Sequence, residues 1–137
     1  MVADAALNVA PELNLGHYTH EKNPLTTRVA LETLAVIENE RLPEQAARLG
    51  RYADDAVTTL ARHCPRIKAW RGLGLLGAIE LDGDDDMAGR MVRTCLENGV
   101  STVTKPGGAI GFSPPLIIRE SEIDETVARI ERAAHSL

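Results

Sequence analysis

The residues best equipped for chemistry crowd into one polar run, His17-Tyr18-Thr19-His20-Glu21-Lys22, just before Asn23-Pro24. The Thr19 hydroxyl both donates and accepts, which suits it to capping the turn before Asn23. His17 and His20 stand three apart and could supply two metal ligands. A closed site needs two more, and none stands at a suitable spacing, so no metal site is expected. The two histidines read instead as loop hydrogen-bonding groups or contacts to a partner subunit, and Glu21 with Lys22 as a solvated pair. Further along, Arg71 follows Trp70. A guanidinium can grip a carboxylate on two parallel bonds. The plainer reading is favoured: Arg71 positions a strand end while Trp70 fills space, because an arginine beside an aromatic often simply packs on it.

These groups need elements to hold them. Residues 1–22 show no sustained period and read as loop. Asn23-Pro24 supplies an N-cap and a first-turn proline, which predicts a helix to about Asn39 with Val29, Leu31, Leu34, Ala35 and Ile37 giving a broad apolar surface. A chain this small cannot cover both sides of such a helix, so it is expected to lie against polypeptide beyond this chain. Leu42-Pro43 restarts the chain, and Ala46, Leu49, Ala53, Ala56, Val57 and Leu60 recur at helical spacing to about His63, with Pro65 as the stop. Ile67–Arg71 and Leu75–Leu81 read as two strands about the turn Gly72-Leu73-Gly74. A third helix, carrying Met87, Met91, Cys95 and Leu96, starts in Asp82-Gly83-Asp84-Asp85-Asp86 and ends at Asn98-Gly99. Val100–Thr104 and Ala109–Phe112 form a second strand pair about Pro106-Gly107-Gly108, and Pro114-Pro115 stops the sheet. Ile123, Val127, Ile130 and Ala134 mark one face of a last helix from about Glu120. Strands that come in adjacent pairs between helices predict an α+β fold, a small mostly antiparallel sheet covered on one face by helices and preceded by the long first helix.

Composition removes several function classes. The chain has 137 residues and suits one domain. Its formal charge of −5 is interspersed rather than blocked, so neither nucleic acid nor a membrane surface is expected as partner. Cys64 and Cys95 lie far apart inside helical patterns and form no disulfide framework or metal knuckle, which favours a cytoplasmic setting. No apolar run approaches the roughly 18 residues of a spanning helix, and residues 1–11 lack the pattern of a signal peptide.

Four stretches, in order, resemble class III pyridoxal-phosphate-dependent aminotransferases. His17-Tyr18-Thr19-His20-Glu21-Lys22-Asn23-Pro24-Leu25 is similar to the segment in which a threonine precedes an Asn-Pro helix start. Leu34-Ala35-Val36-Ile37-Glu38-Asn39-Glu40 resembles the end of that family's interdomain helix. Trp70-Arg71-Gly72-Leu73-Gly74-Leu75-Leu76-Gly77-Ala78-Ile79-Glu80-Leu81 resembles its Arg-Gly-Leu-Gly hairpin. Ser113-Pro114-Pro115-Leu116-Ile117-Ile118, followed by Glu122-Ile123-Asp124, is similar to its closing motif.

The resemblance implies a fold-type-I enzyme whose cofactor, pyridoxal 5'-phosphate, is held by an internal lysine while an amino group passes between an amine or amino acid and a keto acid. It divides the chain into a large-domain loop remnant (residues 1–22), an interdomain-type helix (23–40) and a C-terminal small domain (41–137). In such relatives the Schiff-base lysine lies upstream of this segment. Lys22, Lys68 and Lys105 occupy none of its context, so this chain holds no catalytic residue and is expected to be inactive alone. The resemblance assigns Thr19 to the cofactor phosphate of a neighbouring subunit, which implies a homo-oligomer or association with a missing large domain. Many members carry an arginine two residues before the Ser or Ala of the Pro-Pro motif, where it grips the substrate α-carboxylate; here that position is Gly111. Its absence leaves room for ω-amino substrates, amines or a racemase-like relative, unless Gly111 simply permits a close strand approach. Arg119 stands where a helix cap is expected, with no reason to point inward. A different reading is a non-catalytic module from a truncated gene, self-associating through the first helix or acting as a regulatory α+β domain.

Overall fold

The computed structural model describes residues 23–137, which divide into two compact units after Asn39. The first described element is helix α1 (Pro24–Asn39). Asn23 caps it as expected: its side-chain oxygen accepts the Leu25 N–H at 2.9 Å, and Pro24 occupies the position where an amide is not needed. None of the residues of α1 is buried.

Residues 40–137 form the second unit. Helix α2 (Leu42–Ala61) follows Arg41, whose left-handed backbone (φ 52°) precedes the proline at the helix start. It ends two residues earlier than the apolar spacing implied. Next come β1 (Ile67–Leu73), β2 (Leu76–Leu81), α3 (Asp85–Glu97), β3 (Thr104–Lys105), β4 (Ala109–Phe112) and α4 (Glu120–His135). The strands make one sheet in the order β1-β2-β4-β3, and all its pairings are antiparallel. This is the α+β arrangement that the paired strands predict.

Register sorts the side chains. Trp70, Ile79 and Ile110 lie opposite one another on one face, as do Gly77 and Phe112. That face meets Leu49, Ala53, Val57 and Leu60 of α2, Met91 and Cys95 of α3, and Ile123 and Ile130 of α4 in a single apolar cluster. Trp70 and Phe112, half of the chain's four aromatic residues, pack edge to face with centroids 5.2 Å apart. At about 2 kcal/mol for each fully buried Leu or Ile, this cluster is the main stabilising term of the unit.

Two local rules fix the strand ends. Gly74 holds φ 57° and makes the turn, and a side chain at Gly50 of α2 would run into its carbonyl, so helix and hairpin touch backbone to backbone. The turn therefore sits at Gly74-Leu75 rather than Gly72-Leu73-Gly74, β1 runs on to Leu73, and Leu75 is buried. The strand expected over Val100–Thr104 shrinks to Thr104–Lys105. Gly111 still donates its N–H to the Val103 carbonyl at 2.8 Å, but its own carbonyl accepts the Thr102 hydroxyl at 2.6 Å in place of a ladder amide. A side chain has taken the backbone's partner, and the ladder stops there.

Acidic residues anchor the second hairpin. Asp84 caps α3 by accepting the Met87 N–H at 3.0 Å. Asp85 accepts the N–H groups of Gly107 and Gly108 at 3.0 and 2.8 Å, tying the β3–β4 turn to the start of α3.

Candidate functional site

Thr19, His17, His20, Glu21 and Lys22 lie outside the described residues, so the geometry concerns the remaining candidates. Among the described residues no group of three or more His, Cys, Asp or Glu is placed to hold a metal ion. No helix among them is long and apolar enough to cross a membrane.

Arg71 takes the structural role. Its Nε is 3.6 Å from Glu80 Oε1 and its Nη2 donates to the Pro106 carbonyl at 3.1 Å, linking the first hairpin to the second turn. Arg119 is the extended N-cap residue of α4. An arginine has no acceptor atom, so only half of a reciprocal cap forms: the Glu122 carboxylate accepts the Arg119 backbone N–H at 2.9 Å and its Nε at 3.2 Å. That donation holds the Glu122 carboxyl below the usual carboxylate range. The Arg119 side chain stays largely exposed and does not turn inward.

Cys95 lies in α3 as expected, whereas Cys64 sits past the end of α2; both are buried free thiols. Burial pushes the Cys95 thiol up to about 11, so it stays protonated and unreactive at neutral pH.

Gly111 borders a cleft of about 360 Å³ shared with Thr102, Ser113, Glu122 and Arg129. Its arginine is already committed. Arg129 Nη2 pairs with Glu125 at 2.6 Å, and Nη1 donates to the Asn98 and Gly99 carbonyls at 3.3 and 3.4 Å. It thus caps the negative end of α3 from α4, and the cleft is a packing feature. The sequence shows the Glu125–Arg129 spacing of four but not the α3 carbonyls it serves. A second set of contacts was equally invisible: Arg48–Glu120 and Tyr52–Asp124 lace α2 to α4, and His63–Glu131 ties the turn after α2 to the same helix. The Tyr52 hydroxyl donates to Asp124 at 2.8 Å, and that bond, with lesser help from burial and the nearby Asp124 and Glu120 charges, holds its proton above the usual tyrosine range.

Residues 23–137 do not by themselves fit pyridoxal phosphate. Lys68 Nζ is 2.8 Å from Asp82 in a pair open to solvent. That pair holds the Asp82 carboxyl below its ordinary value. Lys105 lies on a two-residue edge strand. Neither amine has the enclosed apolar or cationic surroundings that activate a Schiff-base lysine.

Comparison with known proteins agrees with the family resemblance of the sequence. The chain is 34% identical, over 97% of its length and 29% of the relative's, to the (R)-1-hydroxy-2-aminoethylphosphonate ammonia-lyase of Vibrio splendidus. It superposes on acetylornithine aminotransferase from Elizabethkingia anophelis with a TM-score of 0.81 and 30% identity, over 92% of this chain and 33% of that one. It also superposes, at a TM-score of 0.72 and 34% identity, on an ornithine aminotransferase from Toxoplasma gondii that has PLP at partial occupancy in its active site, over 82% of this chain and 27% of that one. The chain therefore spans about a third or less of the length of these relatives. The family described as Aminotransferase class-III matches residues 2–134, nearly the whole chain, and the chain belongs to that family.

Proposed function

We propose that the chain is the carboxy-terminal part of a pyridoxal-phosphate-dependent transaminase, moving an amino group between an amine or amino acid and a keto acid, and that it has no turnover of its own. The observation that carries this reading is the family match across residues 2–134, joined to a described region whose lysines are unsuited to hold the cofactor. When bound, the cofactor supplies the electron sink for amino transfer. What this chain adds is a rigid sheet-and-helix unit and, at Thr19, a hydroxyl for the cofactor phosphate. Residues 1–22 are then a remnant of the large-domain loop, residues 23–40 the interdomain helix and residues 41–137 the small domain. A phosphate contact given to a neighbouring subunit makes the working form a homo-oligomer, and two buried cysteines that form no disulfide suit a cytoplasmic setting.

Joining the chain to the lysine-bearing large domain of the Elizabethkingia acetylornithine aminotransferase tests this. The expected product binds pyridoxal phosphate and transfers nitrogen to a keto acid. Thr19→Ala in it should raise the cofactor Kd about tenfold, the worth of one charge-assisted hydrogen bond. A folded, cofactor-loaded product that transfers no nitrogen would overturn the reading. The Vibrio relative favours one second reading, loss of ammonia from an amino substrate without a keto acceptor. Omitting the keto acid separates the two, since only the lyase continues to release product.

A further inference from the structure

Helix α3 carries two methionines, Met87 and Met91, one turn apart and in different surroundings. Met91 is 1% exposed and belongs to the core. Met87 is half-buried, with its stem laid over the turn before the helix: a Cβ at Gly83 would stand 2.6 Å from Met87 Cβ and Cγ. Its Sδ lies 3.9 Å from Arg66 Nη1, on the residue before β1, and 3.8 Å from Arg90 Nη2.

Two strong donors therefore face one weak acceptor. A guanidinium normally finds an oxygen of a carboxylate, phosphate or carbonyl, and a thioether sulfur accepts only weakly. Among the described residues neither the Arg66 nor the Arg90 guanidinium donates to any oxygen, and Asp82, whose carboxylate feels the Arg66 charge, is held by Lys68 at 2.8 Å. Nitrogen–sulfur separations of this size leave room for one oxygen on the sulfur, facing both guanidinium groups at ordinary hydrogen-bond lengths.

We propose that Met87 is an oxidation site: its thioether takes one oxygen atom from a peroxide, and the sulfoxide oxygen so formed accepts hydrogen bonds from Arg66 and Arg90. This stands independently of the transaminase reading. The sulfur lone pair takes the near oxygen of hydrogen peroxide as the O–O bond breaks, and that oxygen's proton passes to the departing hydroxide, which leaves as water. Sulfur gives up two electrons and the peroxide gains them. Oxidation of a methionine commonly loosens its surroundings, and a methionine sulfoxide reductase reverses it. Here the new oxygen instead gains two charge-assisted hydrogen bonds that tie the start of β1 to the start of α3.

The test treats the full chain with hydrogen peroxide and maps sulfoxide by peptide mass, with trypsin separating the two methionines at Arg90. Met87 should be oxidised about tenfold faster than Met91, following exposure. The urea midpoint of the chain oxidised at Met87 should equal or exceed that of the untreated chain. In Arg66→Ala, and in Arg90→Ala on the exposed side of the helix, the same oxidation should lower it. Met87→Leu should leave a midpoint that the same peroxide treatment does not move. Equal oxidation of Met91, a midpoint that falls when Met87 of the unsubstituted chain is oxidised, or the same response in the unsubstituted and arginine-substituted chains overturns the proposal.

Discussion

Helices α1 and α2 follow each other in sequence and are both rich in apolar residues, yet α2 buries Leu42, Leu49, Ala53, Val57 and Leu60 while α1 buries nothing. Spacing explains the difference. The buried set of α2 recurs every three or four residues after Leu49, forming one stripe against the sheet. In α1, Leu25, Val29, Leu31, Leu34 and Val36 point to several sides and all remain exposed. One helix finds its cover within this chain, and the other carries an apolar surface that none of the described residues buries.

The contrast can be broken most forcefully at Gly50, where α2 meets the Gly74 backbone. Gly50→Leu should cost about 3 kcal/mol, because backbone cannot yield as a side chain can, and a urea titration followed by circular dichroism reads it directly. Ala30→Leu in α1 should cost nothing measurable in the same titration. A core truncation gives a comparable effect: Ile130→Ala should lose about 3 kcal/mol, against less than about 0.5 kcal/mol for Leu34→Ala on α1. If Leu34→Ala proved as costly as Ile130→Ala, the division between the helices would fail.

Caps sharpen the comparison at a smaller scale. Asp84→Ala should lower the unfolding free energy by about 1 kcal/mol, because α3 belongs to the cooperative core. Asn23→Ala should reduce helical signal without moving that midpoint. The smallest expected effect is in pH. Asp82 and Glu122 have carboxyl groups held below their ordinary values by Lys68 and Arg119, so their contribution is complete above the unfolded carboxylate range and is lost as pH falls through the folded values. Both lie in solvent, so the urea midpoint should fall only slightly from these two groups between neutral and acid pH, and added salt should reduce that change.

Much of this architecture was legible in the residues. Periodicity located all four helices and the pairing of strands, because a spacing of 2 or 3.6 reports directly on which face is buried, and cap residues marked the Asn23-Pro24 start and a start within residues 82–86. The turn at Gly74 and the two-residue β3 were not legible. The first depends on contact between Gly50 and Gly74, and the second on the Thr102 hydroxyl taking the Gly111 carbonyl. Both are tertiary facts that no local spacing records. The polar pairs joining α2 to α4 were hidden for the same reason, since exposed side chains far apart in sequence leave no periodic trace. Of the candidate site, the motif order pointed to the family, while the Arg129 contacts to the Asn98 and Gly99 carbonyls left no trace in local spacing.

The central claim is that the amine needed to hold the cofactor aldehyde is not among the lysines of this chain. Adding pyridoxal phosphate to the purified chain, reducing with sodium borohydride and mapping the adduct by peptide mass tests it directly. Sparse labelling scattered over exposed lysines, with no defined absorbance band, is the expected result. One equivalent fixed at a single lysine, accompanied by the absorbance of a protein-bound imine, would contradict it.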